Sequence, residues 1–175
     1  KSPFQSVDIV ETKGHGRVLL NDGLIMVSER DEFAYHDMIS HVPLFTHPNP
    51  RRVLVIGGGD GGTAREVIRH PSVETCVMVE IDEMVVNACK KHIPQTSAAL
   101  DDPRIELIIG DGVAYMETAA KSDDKFDVII VDSTDPIGPA TPLFGTEFYT
   151  NVEATLADDG IVVSQGESPW YNKDI

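Results

Sequence analysis

Apolar residues in this chain fall into short runs separated by polar turns, and the runs carry two different periods. Runs at 52–57, 75–80, 104–109, 126–131 and 160–165 are rich in Val and Ile. Consecutive apolar positions suit strands buried on both faces, as in a parallel sheet. Segments 62–70, 83–92, 112–120 and 146–156 lie between them and predict helices, the first stopped by Pro71. Strand and helix alternate, which predicts a parallel sheet with right-handed crossovers.

The first thirty residues differ. Phe4 to Glu11, Gly16 to Leu20 and Leu24 to Ser28 predict antiparallel strands, turned at Thr12–His15 and at Asn21-Asp22-Gly23. Three strands alone are marginal, so a larger sheet is expected around them. Asp31 to Phe45 predicts a helix with Ser28 or Asp31 near its start. Phe33, Tyr35, Met38, Ile39 and Val42 are its expected apolar side, and Pro43, Pro48 and Pro50 are expected to break the chain into a linker. The expected organisation is a partial β-meander domain over 1–30, a linking helix and linker over 31–50, and a parallel-sheet domain over 51–175. Both ends look cut. Lys1 to Phe4 opens directly into a strand pattern, and Trp170 to Ile175 stops where another helix should start.

Composition narrows the class. With 175 residues, 41% of them hydrophobic, the chain can build one core and a small appendage. A formal net charge of −15 argues against a nucleic-acid partner and suits a polycationic one. Cys76 and Cys89 form no C-x-x-C and are expected to be reduced core residues. No signal peptide or long apolar span is present, so a cytoplasmic protein without membrane contact is expected. The histidines have no metal-ligand spacing. His36 and His41 are five apart, which does not align them on one helical face, and no metal is expected.

Candidate chemistry starts at Val53-Leu54-Val55-Ile56, followed by glycines at 57, 58, 59, 61 and 62. Strand, glycine turn and helix satisfy G-x-G-x-x-G and form the first unit of a nucleotide-binding sheet. The loop glycines, Gly57 and Gly59 among them, let backbone approach a ligand closely. Glu80 ends the next strand, where an acid meets ribose hydroxyls. The loop also carries Asp60. A carboxylate there would repel pyrophosphate. That disfavours NAD and favours a phosphate-free nucleoside with a cationic group, such as a decarboxylated sulfonium nucleoside.

Ligands of such sheets bind outside the C-terminal strand ends. Asp60, Glu80, Asp111, Asp132, Asp135 and Gln165 all fall there, with Glu167 just beyond. So many acids in one crevice repel each other unless a cation offsets them. Asp111 also reads as a helix cap. Asp111 and Gly112 otherwise stand where an adenine amine and ring nitrogen need an acceptor and a donor. Asp132-Ser133-Thr134-Asp135-Pro136 reads either as an Asx-turn or as an acid pair that holds and deprotonates an ammonium. Pro136 to Phe144 is apolar and rich in Pro and Gly, a candidate lid.

The chain resembles the spermidine synthases, aminopropyltransferases of polyamine biosynthesis. The likeness runs through Phe4–Val7, Asp22-Gly23, Glu29–His36, the Gly57–Gly62 loop with Asp60, Glu80–Asp82 and Gly110–Gly112. It continues through Asp132–Pro136, Gly138-Pro139 and Gln165–Glu167. It implies a Rossmann-like, methyltransferase-type sheet with helices on both faces, behind a small antiparallel β-domain, in a homodimer. It implies transfer of the aminopropyl group of decarboxylated S-adenosylmethionine to putrescine, giving spermidine and 5′-methylthioadenosine. The donor would be a co-substrate, with no permanently bound cofactor. By this resemblance Gln5, Glu80, Asp111, Gly112 and Pro139 hold the nucleoside. Tyr35, His36, Asp60, Asp132, Ser133, Thr134 and Asp135 line the amine site, and Asp132 is the general base. His36 enters only through the resemblance, since taken alone it reads as a surface helix residue. Tyr35 alone reads as core with its hydroxyl at the crevice edge. Gln5 rests wholly on the resemblance, and Trp170 reads as a packing residue. The rival readings are an S-adenosylmethionine-dependent N-methyltransferase, such as those acting on putrescine, and a non-catalytic nucleoside- or polyamine-binding protein.

Overall fold

The structure is a computed structural model and describes residues 1–136 and 138–166. The expectations for Glu167 and Trp170 lie outside the described residues. Five parallel strands, β4 (Arg52–Gly57), β5 (Thr75–Glu80), β6 (Ile105–Ile109), β7 (Phe126–Asp132) and β8 (Leu156–Ser164), form one sheet in the order β6-β5-β4-β7-β8. The chain builds outward from β4 to β6, then returns to the other side of β4 for β7. The order therefore reverses between β4 and β7, and a crevice opens at their C-terminal ends.

Alternation inside the apolar runs sorts side chains between two cores. On one face, Val53, Val55, Cys76, Met78, Val128 and Ile130 pack together. They are covered by α1 (Glu32–Thr46), α2 (Gly62–Val67) and α3 (Glu83–His92), through Ile39 and Leu44, Ala64 and Val67, and Val86. On the other, Leu54, Ile56, Val77, Val79, Ile129 and Val131 meet Met116 of α5 (Gly112–Ala119) and Phe148 and Val152 of α6 (Thr146–Thr155). Helices thus cover both faces, as a doubly wound sheet requires.

The first three strands, β1 (Val7–Thr12), β2 (Gly16–Asn21) and β3 (Leu24–Ser28), form a separate antiparallel sheet. Asp22 and Gly23 take φ of 51° and 83°, the two left-handed residues of a tight hairpin turn. Leu19 and Val27 pack on Val85, Cys89 and Ile93, so this sheet rests on α3. Both cysteines are free and buried. No helix among the described residues is long and apolar enough to cross a membrane.

Several expectations are corrected. Helix α1 does not bury its most apolar side. Its buried residues are His36, Ile39, Ser40, Pro43 and Leu44, while Phe33, Met38 and Val42 are exposed by more than half. Polar anchors set this orientation: His36 and Ser40 find partners on the glycine loop and α2. Pro43 sits inside α1 rather than ending it. Helix α2 stops at Val67, and Arg69 and His70 continue as tight turns to Glu66 and Val67. Between α3 and β6 lie a short α4 (Pro94–Ser97) and a 3-10 turn, Ala98–Asp101, neither of them predicted. Strand β8 begins at Leu156 rather than at 160, and bulges before Ile161.

The glycine loop is tied to the switch point. Gly57 pairs with Asp132 across β4 and β7, and Gly58 N–H donates to the Asp132 carbonyl at 2.9 Å. Gly57 has φ +87°, and a Cβ there would stand 2.1 Å from that carbonyl oxygen. Gly57→Ala should therefore destabilise the protein by more than ~2 kcal/mol, through strain and backbone displacement together. Gly14→Ala, with nothing within 4 Å of its Cβ, should change stability little. Urea denaturation of both variants checks this, and equal stabilities would contradict it.

Candidate active site

Three carboxylates reach the crevice from three strand ends. Asp132 is the last residue of β7. The Tyr35 hydroxyl donates to its Oδ1 at 2.5 Å, and the Thr63 hydroxyl to its Oδ2 at 2.6 Å. Burial and the Asp60 charge push its pKa above the usual carboxylate range, while the two hydroxyl donors pull it back. The Tyr35 hydroxyl is itself held far up, by burial and by Asp132, so it stays a protonated donor.

Glu80 ends β5 and is almost fully buried. Its Oε1 accepts from Asp82 N–H at 2.8 Å. Burial first, then the charges of Asp82, Asp132 and Asp60, push its pKa up to about 7 against that single bond. Gly59 lies so close that a Cβ there would stand 2.8 Å from Glu80 Oε2. Glu80 and the glycine loop are thus in contact. Gln5 reaches the same place indirectly. Its Nε2 donates to Asp82 Oδ2 at 3.1 Å, beside the Ser2 hydroxyl at 2.6 Å.

Asp60, in the loop after β4, uses Oδ1 to accept from Gly62 N–H at 2.8 Å. The same oxygen takes His36 Nε2 at 3.2 Å, while His36 Nδ1 meets Glu32 Oε2 at 2.6 Å. The surface reading of His36 is corrected: only 2% of the residue is exposed. Its ring lies against Gly62, where a Cβ would come within 2.2 Å. Burial alone would lower the imidazolium pKa, but the hydrogen bonds to Asp60 and Glu32 and the Asp132 charge outweigh it and hold it up at about 9. The core reading of Tyr35 is corrected in part: the residue is 40% exposed, while its hydroxyl does stand at the crevice, on Asp132.

The other expected residues have hydrogen bonds and contacts of their own. Asp135 accepts from Gln165 Nε2 at 3.0 Å, and the Ser133 hydroxyl bonds the Thr134 carbonyl. Asp111 caps α5 by accepting from Val113 N–H at 2.8 Å, so its capping role is real, although one oxygen is left over. Gly112 permits close approach of Ile56, 2.6 Å from a Cβ there, with Leu143 nearby. Pro139 is exposed in a 3-10 segment, Gly138–Phe144, within the candidate lid.

The sequence reading missed Thr63, Glu32, Arg65 and Ser2. Thr63 follows the last loop glycine, and its place on the first turn of α2 was the available signal. Glu32 and His36 have i, i+4 spacing on α1. Arg65 grips both Glu32 oxygens at 3.0 and 2.8 Å, which only the packing of α1 on α2 discloses.

Comparison with known proteins places this geometry. A family model described as Spermine/spermidine synthase domain matches residues 32–175. The polyamine aminopropyltransferase of Methanocaldococcus jannaschii is 56% identical over 175 residues, covering 100% of this chain and 59% of its own length. That of Thermoanaerobacter sp. is 56% identical over 174 residues, covering 99% and 62%. A crystal structure of spermidine synthase in complex with the transition state analogue AdoDATO superposes with a TM-score of 0.94 at 46% identity, covering 99% of this chain and 59% of that one. Spermidine synthase from Thermotoga maritima gives 0.88 at 44%, covering 99% and 56%. This chain spans about three-fifths of the length of the curated relatives it matches.

The His36 geometry carries a pH signature. A folded pKa of about 9 against an ordinary 6.5 means that protonation favours the folded state. This stability is fully present below pH 6.5 and is lost as pH rises through about 9. Glu80, raised from 4.5 to about 7, contributes a separate loss at lower pH. Urea midpoints measured across pH should fall in the upper window for wild type. His36→Gln should remove that fall and keep the lower one. An unchanged upper slope would show that another group controls it.

Proposed function

As the chain belongs to the spermine/spermidine synthase family, we propose that the protein transfers the aminopropyl group of decarboxylated S-adenosylmethionine to putrescine, giving spermidine and 5′-methylthioadenosine. One observation carries this reading. Asp132 and Glu80 end the strands on either side of β4, flanking the glycine loop, and among the described residues neither is paired with a lysine or arginine. A crevice with uncompensated carboxylates suits cationic reactants, here a diammonium acceptor and a sulfonium donor.

The chemistry asks little beyond placement and one proton transfer. Putrescine enters as a dication, and an ammonium has no lone pair to attack with. Asp132 takes one proton, with Tyr35 and Thr63 fixing its plane and leaving free lone pairs for the amine. The nitrogen attacks the aminopropyl carbon beside sulfur. The C–S bond breaks, its electron pair stays on sulfur, and a neutral thioether leaves. Burial raises the carboxylate pKa and would lower that of the amine, narrowing the gap between them. Glu80 would accept from the two ribose hydroxyls, donors that favour its ionised form.

Asp60 would select the donor. Ordinary S-adenosylmethionine carries a carboxylate that Asp60 would repel, whereas the decarboxylated form presents only its ammonium. His36 does not cancel this, because its charge is shared with Glu32.

Incubating the protein with each donor and a panel of diamines separates the readings. Methylthioadenosine from the decarboxylated donor supports transfer. S-adenosylhomocysteine from the ordinary donor would mean methyl transfer, and tight binding without product would mean a binding protein. Asp132→Asn should keep nucleoside affinity and lose turnover by ~10²-fold or more. A rate equal to wild type would remove Asp132 from its role. Asp60→Asn keeps the side-chain shape and should narrow the preference for the decarboxylated donor, read as the ratio of the two affinities. An unaltered ratio would refute that assignment.

A further inference from the structure

On the outer side of the α1–α2 contact lies a second group of ionisable side chains that the proposed transfer does not use. Asp37 and His41 are one turn apart on α1, and Glu66 faces them from α2. His41 Nε2 stands 3.1 Å from Glu66 Oε2 and 3.6 Å from Asp37 Oδ1. The three donor atoms all lie within 4.8 Å of one another. We infer that Asp37, His41 and Glu66 form a site for a divalent transition-metal ion of the zinc class, with His70 fixing the imidazole behind it.

Two of the three ligand separations match what such an ion requires. Ligands about 2.0–2.1 Å from a tetrahedral zinc stand ~3.3 Å from each other. The two His41 separations straddle that edge length. One imidazole and two carboxylates neutralise a dication and leave the fourth position for water. Asp37 has 46% of its side chain exposed, which gives an entry path.

The imidazole is already oriented. His41 Nδ1 lies 2.9 Å from His70 Nε2, so with Nδ1–H donating to His70, Nε2 is free to ligate. The Phe45 ring contacts both histidines, at centroid distances of 5.7 and 4.8 Å, and limits their rotation. Glu66 is 2% exposed and held ionised: burial would raise its pKa, but hydrogen bonds from Arg65 and Arg69 outweigh it. Arg65 Nε keeps Oε1 at 2.8 Å, so Oε2 alone must turn to the metal. Arg69 now occupies Oε2 at 2.5 Å, but its side chain is 64% exposed and can swing into water when the ion takes its place. The expectation of no metal rested on histidine spacing along the chain. Here one ligand comes from the opposite helix, so spacing alone could not disclose the set.

Metal content decides the matter in the intact protein. Wild type, dialysed against micromolar zinc, should retain about one equivalent more than His41→Gln. Cobalt in place of zinc should give the visible absorption of a four-coordinate ion in wild type alone. Asp37→Asn, on a half-exposed side chain, should weaken zinc by about tenfold or more. His70→Gln should weaken it ~10–100-fold, as loss of an orienting partner does. Magnesium should not compete. Equal zinc content in wild type, Asp37→Asn and His41→Gln, or no zinc retained by wild type, would overturn the assignment.

Discussion

Two carboxylates stand at the ends of strands flanking β4 with no lysine or arginine of their own among the described residues, and the structure around them is arranged to tolerate that. Burying a carboxylate costs several kcal/mol unless hydrogen bonds or a counter-charge offset it. Asp132 is supported by two hydroxyl donors from α1 and α2. Glu80 is supported by one backbone N–H, and its pKa rises accordingly. What the fold leaves uncompensated is what a cationic reactant can supply. Binding of such a reactant would relieve a cost already present in the free protein.

Glycine makes that arrangement possible. The loop after β4 must pass between the ends of β5 and β7, where Glu80 and Asp132 project. A side chain at residue 57 would strike the Asp132 carbonyl, and one at residue 59 would strike the Glu80 carboxylate. The same loop turns Asp60 back to cap its own helix start and to meet His36. The glycines therefore serve the acids as much as any bound nucleoside. That explains why a G-x-G-x-x-G loop here carries a carboxylate that a pyrophosphate site would exclude.

The sequence disclosed the parts of the structure that are local or periodic. Parallel strands followed from runs such as Val53–Ile56 and Val128–Val131, whose alternate residues feed opposite cores. The acids at the strand ends followed from counting where those runs stop. The orientation of α1 did not follow, because hydrophobicity pointed to Phe33, Met38 and Val42 while the helix is seated by His36, Ser40 and Leu44. An amphipathic pattern reports the average cost of burial. It does not register a polar residue whose partner arrives from another element. The same limit hid Arg65 behind Glu32, and Thr63 behind Asp132. It also hid the amide of Gln165, just past the end of β8, that donates to Asp135.

His36 shows how the two helices on this face convert sequence into electrostatics. Its imidazolium bridges Asp60 on the loop and Glu32 on its own helix, and Arg65 of α2 closes the chain on the far side of Glu32. Charges thus alternate from α2 through α1 to the loop: Arg65, Glu32, His36, Asp60. An alternating row of four is neutral as a whole, so it can be buried at modest cost while its last member faces the crevice. Removing any one link would leave a neighbour unpaired in a place where water cannot replace it. Asp60 is therefore held in position by residues of two helices, and α1 is seated by the polar contacts that deliver them.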